Sequence, residues 1–149
     1  MKFSLESIKI SIAGAKLSHL VQKDRIWDHG SMTEQARIIF YLVHKSKTHG
    51  NIELLKKCVT SSYLETLVKE MNTAQNIFWQ TEDPVITELA VIEVSPYKIN
   101  KPDMFTAIIK GHLKIPGITS GNTVKPGKFS LQWCFVRQGE WWMLDRIKT

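Results

Sequence analysis

The hydrophobic period of this chain changes once, at Asp83-Pro84, and that change limits the folds open to it. Upstream, apolar residues recur three and four positions apart. Downstream they alternate with polar ones. A 3.6-residue period buries one side of a helix, and a two-residue period buries one side of a strand. Helices followed by an antiparallel meander make an α+β domain, with the helices gathered on one face of the sheet. Such a sheet curls around its helices into a cone. The 149 residues suit one domain of this kind.

The helical half is punctuated clearly. Ser31 and Glu34, just after Gly30, have the spacing of a capping box. Ala36, Ile39, Phe40 and Val43 then share a face, which Ile38 and Leu42 widen. His49-Gly50 ends the segment, since glycine suits a left-handed C-cap. Asn51 is placed to cap a short second helix through Cys58, with Leu54, Leu55 and Cys58 inward. Ser62 and Glu65 repeat the capping-box spacing, and Leu64, Leu67, Val68 and Met71 form the apolar stripe of a third helix.

The second half reads as strands. Val85 to Val94 is rich in β-branched residues. From Phe105 to Ile115, Phe105, Ala107, Ile109, Leu113 and Ile115 alternate with Thr106, Lys110, His112 and Lys114; Ile108 breaks the polar side of that pattern. Gly111, inside the strand, predicts a bulge or bend. Residues 116–127 read as a hairpin loop. Phe129, Leu131, Trp133 and Phe135 line one face of the next strand, and Gln138-Gly139 turns into a last strand, Trp141–Ile147. Phe40, Phe105, Trp133, Phe135 and Trp141 are the aromatic candidates to line a pocket in the cone or to fill it. Trp141 and Trp142 must point to opposite faces. One of them is therefore inside and the other is free to make contacts.

Residues 1–24 stand apart from the domain at 25–149. Up to Lys23 they carry four lysines and one glutamate. Phe3, Ile10, Leu17 and Val21 fall on one helical face, while Leu5, Ile8 and Ile12 fall nearly opposite. The segment is a basic arm or amphipathic helix, and Lys2, Phe3, Lys9, Lys16 and Lys23 are its candidate contacts for a membrane or other anionic surface. The whole chain carries 20 Lys and Arg against 14 Asp and Glu, a net +6. That balance favours anionic partners such as phospholipid or acidic protein segments. No compact basic cluster is interleaved with aromatics, so nucleic acid is expected only within a ribosome-like assembly. The oligomeric state is not fixed by any of these features.

Several classes are excluded. The longest apolar run, Ile38–Val43, is far shorter than the roughly 20 residues that cross a bilayer. Lysines and serines break up any signal-peptide core. The expected location is cytoplasmic, or peripheral at the inner face of a membrane. Cys58 and Cys134 lack zinc-ligand spacing and read as reduced core thiols. The five histidines form no HExxH, and no GxSxG, P-loop or GxGxxG occurs. No cofactor is implied.

Phe129-Ser-Leu-Gln-Trp-Cys-Phe-Val-Arg137, then Gly139, then Trp142-Met-Leu-Asp-Arg-Ile147 resembles the last two strands of Tim44-like domains. Trp27-Asp28, Ile39-Phe40-Tyr41, Gly50-Asn51-Ile-Glu-Leu-Leu55, Thr60 and Tyr63-Leu64 agree in order and spacing across about residues 25–148. The resemblance implies the NTF2-like superfamily fold, a cone with N-terminal helices in the concave face of a curved antiparallel sheet. It also implies a non-enzymatic binding module: peripheral membrane association, protein–protein contact, or a part in protein translocation or assembly, as in import-motor and mitoribosomal members. The chain lacks the long N-terminal region of the import subunit, and Leu131 stands where a polar or acidic residue is expected. The wider superfamily supplies an alternative, a small-molecule-binding protein or a ketosteroid-isomerase-like or polyketide-cyclase-like enzyme. These use an inward carboxylate as base and a tyrosine or acid as donor. Candidates are Glu88, Glu93 and Asp145 with Tyr41, Tyr63 or Tyr97. Glu88 and Glu93, five residues apart, are expected on opposite faces of their strand.

Overall fold

The computed structural model describes residues 4–72, 84–113 and 128–148. Lys2, Phe3, Ile115 and the loop at 116–127 lie outside these residues. Three helices, α1 (Leu5–Leu20), α2 (His29–His49) and α3 (Ser61–Asn72), precede four strands, β1 (Pro84–Ser95), β2 (Met104–Leu113), β3 (Lys128–Gln138) and β4 (Trp141–Lys148). The strands form an antiparallel meander in the order β1-β2-β3-β4. The chain is therefore α+β, with helices over one face of an open antiparallel sheet.

The helix boundaries follow from their caps. The carboxylate of Asp28 accepts the Ser31 N–H at 2.8 Å and starts α2 at His29. The expected Ser31–Glu34 box is thus displaced by an anion, which also suits the positive end of the helix dipole. Gly50 closes α2 at φ 66°, as expected. Asn51 caps a 3₁₀ turn, Ile52–Lys57, by accepting the Glu53 N–H. For α3, the Thr60 carbonyl accepts from the Tyr63 and Leu64 N–H groups. The helix thus begins ahead of the expected Ser62–Glu65 pair. Ala36, Ile39, Phe40 and Val43 are buried, whereas Ile38 is 49% exposed. The sheet covers one side of α2, and no second layer meets the face that Ile38 widens among the described residues.

Both sheet edges are flanked by other segments, which shields part of the backbone that would promote edge-to-edge pairing. Helix α1 runs along β1, with Ala13 and Leu17 in the core and Glu6 paired to Lys110 at 2.8 Å. On the far edge, residues 58–60 lie parallel to β4. There the Leu144 N–H donates to the Cys58 carbonyl and the Thr60 N–H to the Leu144 carbonyl.

Three irregularities curl the sheet. β1 carries an extra residue at Thr87 and another at Ile92, and β4 carries one at Asp145. Each bulge bends its strand and strengthens its twist. Gly111 is involved as expected, though the extra residue sits on its neighbour. A Cβ at Gly111 would collide with the Val85 carbonyl and come within 2.8 Å of the Phe129 ring. Only glycine lets the two strands close at this point.

Candidate functional site

The aromatic candidates divide cleanly. Phe40, Phe105, Trp133 and Phe135 are all fully buried and belong to one core. Phe40 reaches from α2 to lie 5.2 Å from Trp133 and 5.8 Å from Phe129, between ring centroids. Phe105 stacks on Phe135 at 4.8 Å. Trp142, not Trp141, takes the inward position on β4. Its ring meets Phe105 edge-on at 4.7 Å and lies 5.2 Å from Trp27. Its indole N–H donates to the Ile26 carbonyl at 3.2 Å. The reason is register. Trp142 pairs with Arg137 and Leu144 with Phe135, whose side chains face the helices. Trp141 is left 67% exposed.

The candidate acids and donors do not converge. The bulge at Ile92 resets the alternation of β1, so Glu88 pairs with Lys110 and Glu93 with Thr106. Both glutamates then stand on the sheet face opposite the Phe105, Trp133 and Phe135 core, contrary to the opposite-face expectation. Glu88 is also 3.8 Å from the Lys110 ammonium. Asp145 sits in the β4 bulge and accepts the Thr60 hydroxyl at 2.8 Å, which ties the head of α3 to the sheet edge. Tyr63 is the one inward donor. Its hydroxyl donates to Glu70 at 2.9 Å and accepts the Ile147 N–H at 3.2 Å. Burial and the Glu70 carboxylate raise its pKa, which keeps the phenol protonated. Tyr41 and Tyr97 are exposed. No group of three metal-ligating side chains occurs among the described residues.

The N-terminal helix resolves the two-sided pattern of the sequence. Its Ala13 and Leu17 face enters the core, while Leu5, Ile8 and Ile12 remain 69%, 45% and 52% exposed. At 100° per residue, Leu5, Ile12, Lys9 and Lys16 fall within a narrow sector of the outer face, with Ile8 beside it. Lys9, Lys16 and Lys23 are all exposed. The result is a solvent-facing apolar stripe bordered by lysines. Lys9, Ile12 and Lys16 also border a groove shared with Ile92, Glu93 and Val94 near the end of β1.

A second exposed set lies at the end of the sheet where β1 leads into β2; the sequence offers Tyr97 only as a candidate proton donor and gives Ile99 no role. Tyr97 and Ile99 are 71% and 86% exposed. The available signal was the run Tyr97-Lys-Ile-Asn-Lys101, which places two large apolar residues in a connection with no strand to bury them.

Fold and site together describe a helix-on-sheet α+β domain with a buried aromatic core and apolar, cationic features on its surface. No family model matches the chain, and no curated protein matches it. Among solved structures, the intermembrane space region of the chloroplast protein ARC6 is similar at 15% identity, over 78% of this chain and 94% of that one, with a TM-score of 0.45. The Tim44-like resemblance rests on the sequence motifs quoted above. No helix among the described residues is long and apolar enough to cross a membrane.

Proposed function

We propose that this chain is a non-enzymatic binding module that attaches peripherally to anionic membrane through the outer face of α1. The observation that carries this reading is the exposed stripe of Leu5, Ile8 and Ile12 bordered by Lys9 and Lys16 on a helix whose other face is already seated. A helix needed only for packing gains nothing from a second apolar face. An interfacial helix needs one, with cations at its margin to meet headgroups. Each lysine near an anionic surface adds about 1 kcal/mol of attraction. The enzyme alternative draws no comparable support, since Glu88 and Glu93 stand on the sheet face opposite the aromatic core and Asp145 is engaged by Thr60.

Removal of residues 1–23 is a poor test, because it would also strip Ala13 and Leu17 from the core. The appropriate variant keeps the helix and changes its outer face: Leu5→Gln, Ile8→Gln and Ile12→Gln together. The full chain should co-sediment with vesicles containing phosphatidylserine and not with phosphatidylcholine alone. Salt should weaken the binding, since charges separated by more than about 8 Å are screened at physiological ionic strength. The triple variant should lose most of it. Equal sedimentation of variant and wild type removes α1 from the reading.

A further inference from the structure

We infer that the tip of the β1–β2 connection, Tyr97 and Ile99 between Lys98 and Lys101, together with Trp141, is a second anchor that enters the headgroup layer of the same anionic bilayer. This rests on the reading that the partner is a membrane, and it adds a contact the α1 stripe does not supply.

The tip is held in place by its own backbone. Lys98 and Lys101 exchange N–H to carbonyl bonds of 3.1 and 2.9 Å across a tight turn, with Asn100 at φ 69°. Asp103 accepts the Tyr97 N–H at 2.6 Å, and its carbonyl accepts the Arg137 N–H at 2.9 Å. The backbone of the turn is therefore tied to β3, which fixes where its exposed side chains start. A backbone held in advance lowers the ordering cost of binding. The β3–β4 turn stands alongside. Tyr97, Lys101, Arg137 and Glu140 border one shallow depression of about 500 Å³, and Trp141 follows Glu140 directly.

Charge selects the partner. Lys98 and Lys101 flank the tip, and Lys23 and Arg25 lie on either side of Asp24 at the same end. The acids there are largely engaged: Arg137 bonds both Asp24, at 2.6 Å, and Asp103, at 3.1 Å. Glu140, Glu93 and Asp28 are the exposed acids nearby, fewer than the cations that flank the tip and the Asp24 segment. Shape selects it too. Tyr97, Ile99 and Trp141 project outward, whereas the side chains that dominate protein interfaces fill well-packed, desolvated pockets. A projecting tip of isoleucine with tyrosine and tryptophan suits a deformable layer, where Trp and Tyr favour the headgroup depth.

The test uses the full chain with phosphatidylcholine vesicles, with and without phosphatidylserine. Tyr97→Ser with Ile99→Ser should weaken partition to the anionic vesicles by at least about tenfold, the loss expected from fully withdrawing even one of the two large apolar side chains. Both positions are exposed, so the denaturation midpoint should not move. Vesicles should also blue-shift the tryptophan emission of the wild type, and Trp141→Phe should abolish that shift. If the tip variant binds like the wild type while the α1 triple variant does not, the tip proposal is overturned and the α1 reading stands. If the tip variant fails and the α1 variant binds, the tip stands and α1 does not. If the wild type ignores anionic vesicles, both are overturned.

Discussion

Arg137, at the end of β3, donates from its guanidinium to the carboxylate of Asp24 at 2.6 Å, across 113 residues of sequence. The same nitrogen reaches Asp103 at 3.1 Å, and Nε donates to the Gly139 carbonyl at 2.7 Å. One side chain thus fastens the segment after α1, the start of β2 and the β3–β4 turn to one another. The guanidinium holds the Asp24 carboxyl below its usual value.

Because the folded Asp24 carboxyl is more acidic than the unfolded one, its contribution to stability is present above the ordinary carboxylate value of about 3.9. It fades as pH falls through the lower, folded value. Asp24→Asn should therefore be less stable than the wild type near neutral pH, and the two should converge in acid. Urea midpoints of both proteins across that range check this. A gap that widens as pH falls contradicts it. The effect should be modest and salt-sensitive, since Asp24 is partly exposed.

Trp133 is fully buried on β3, against Phe40 of α2. Trp133→Ala should lose about 3–5 kcal/mol, the range for truncating a large aromatic in a packed core. Chemical denaturation is the measurement, and an unchanged midpoint would contradict the placement of β3 beneath the helices.

Gly111→Ala should destabilise by about 1–3 kcal/mol although it adds a single methyl group, because the clash is with backbone as well as a ring. Amide exchange should rise most at the paired end of β1 and β2, near Ile86 and Val85. An alanine as stable as glycine would mean that the strands are farther apart there.

Cys58 and Cys134 are both buried and unpaired. Burial pushes the Cys58 thiol up to about 11, so at pH 8 its reactive thiolate is roughly one part in a thousand. Native protein should resist thiol-specific reagents at both positions, and both should react promptly in denaturant. Rapid labelling of the folded chain would contradict the burial.

The change of period at Asp83-Pro84 is enough to set the α+β class, because side-chain alternation and helical spacing are local properties of the backbone. Gly50, Asn51 and the inward set Phe105, Trp133 and Phe135 were readable for the same reason. Which tryptophan of Trp141-Trp142 turns inward was not, since alternation fixes that the two differ without fixing which strand register wins. The faces of Glu88 and Glu93 were decided by the extra residue at Ile92, a bulge that no local spacing announces. The two apolar sides of α1 were visible in the sequence, yet only packing against the edge of β1 shows which one is used. Asp24, Asp103 and Arg137 meet only because the meander brings three distant segments to one end of the sheet. Contacts of that kind depend on chain topology, and tertiary structure alone decides them.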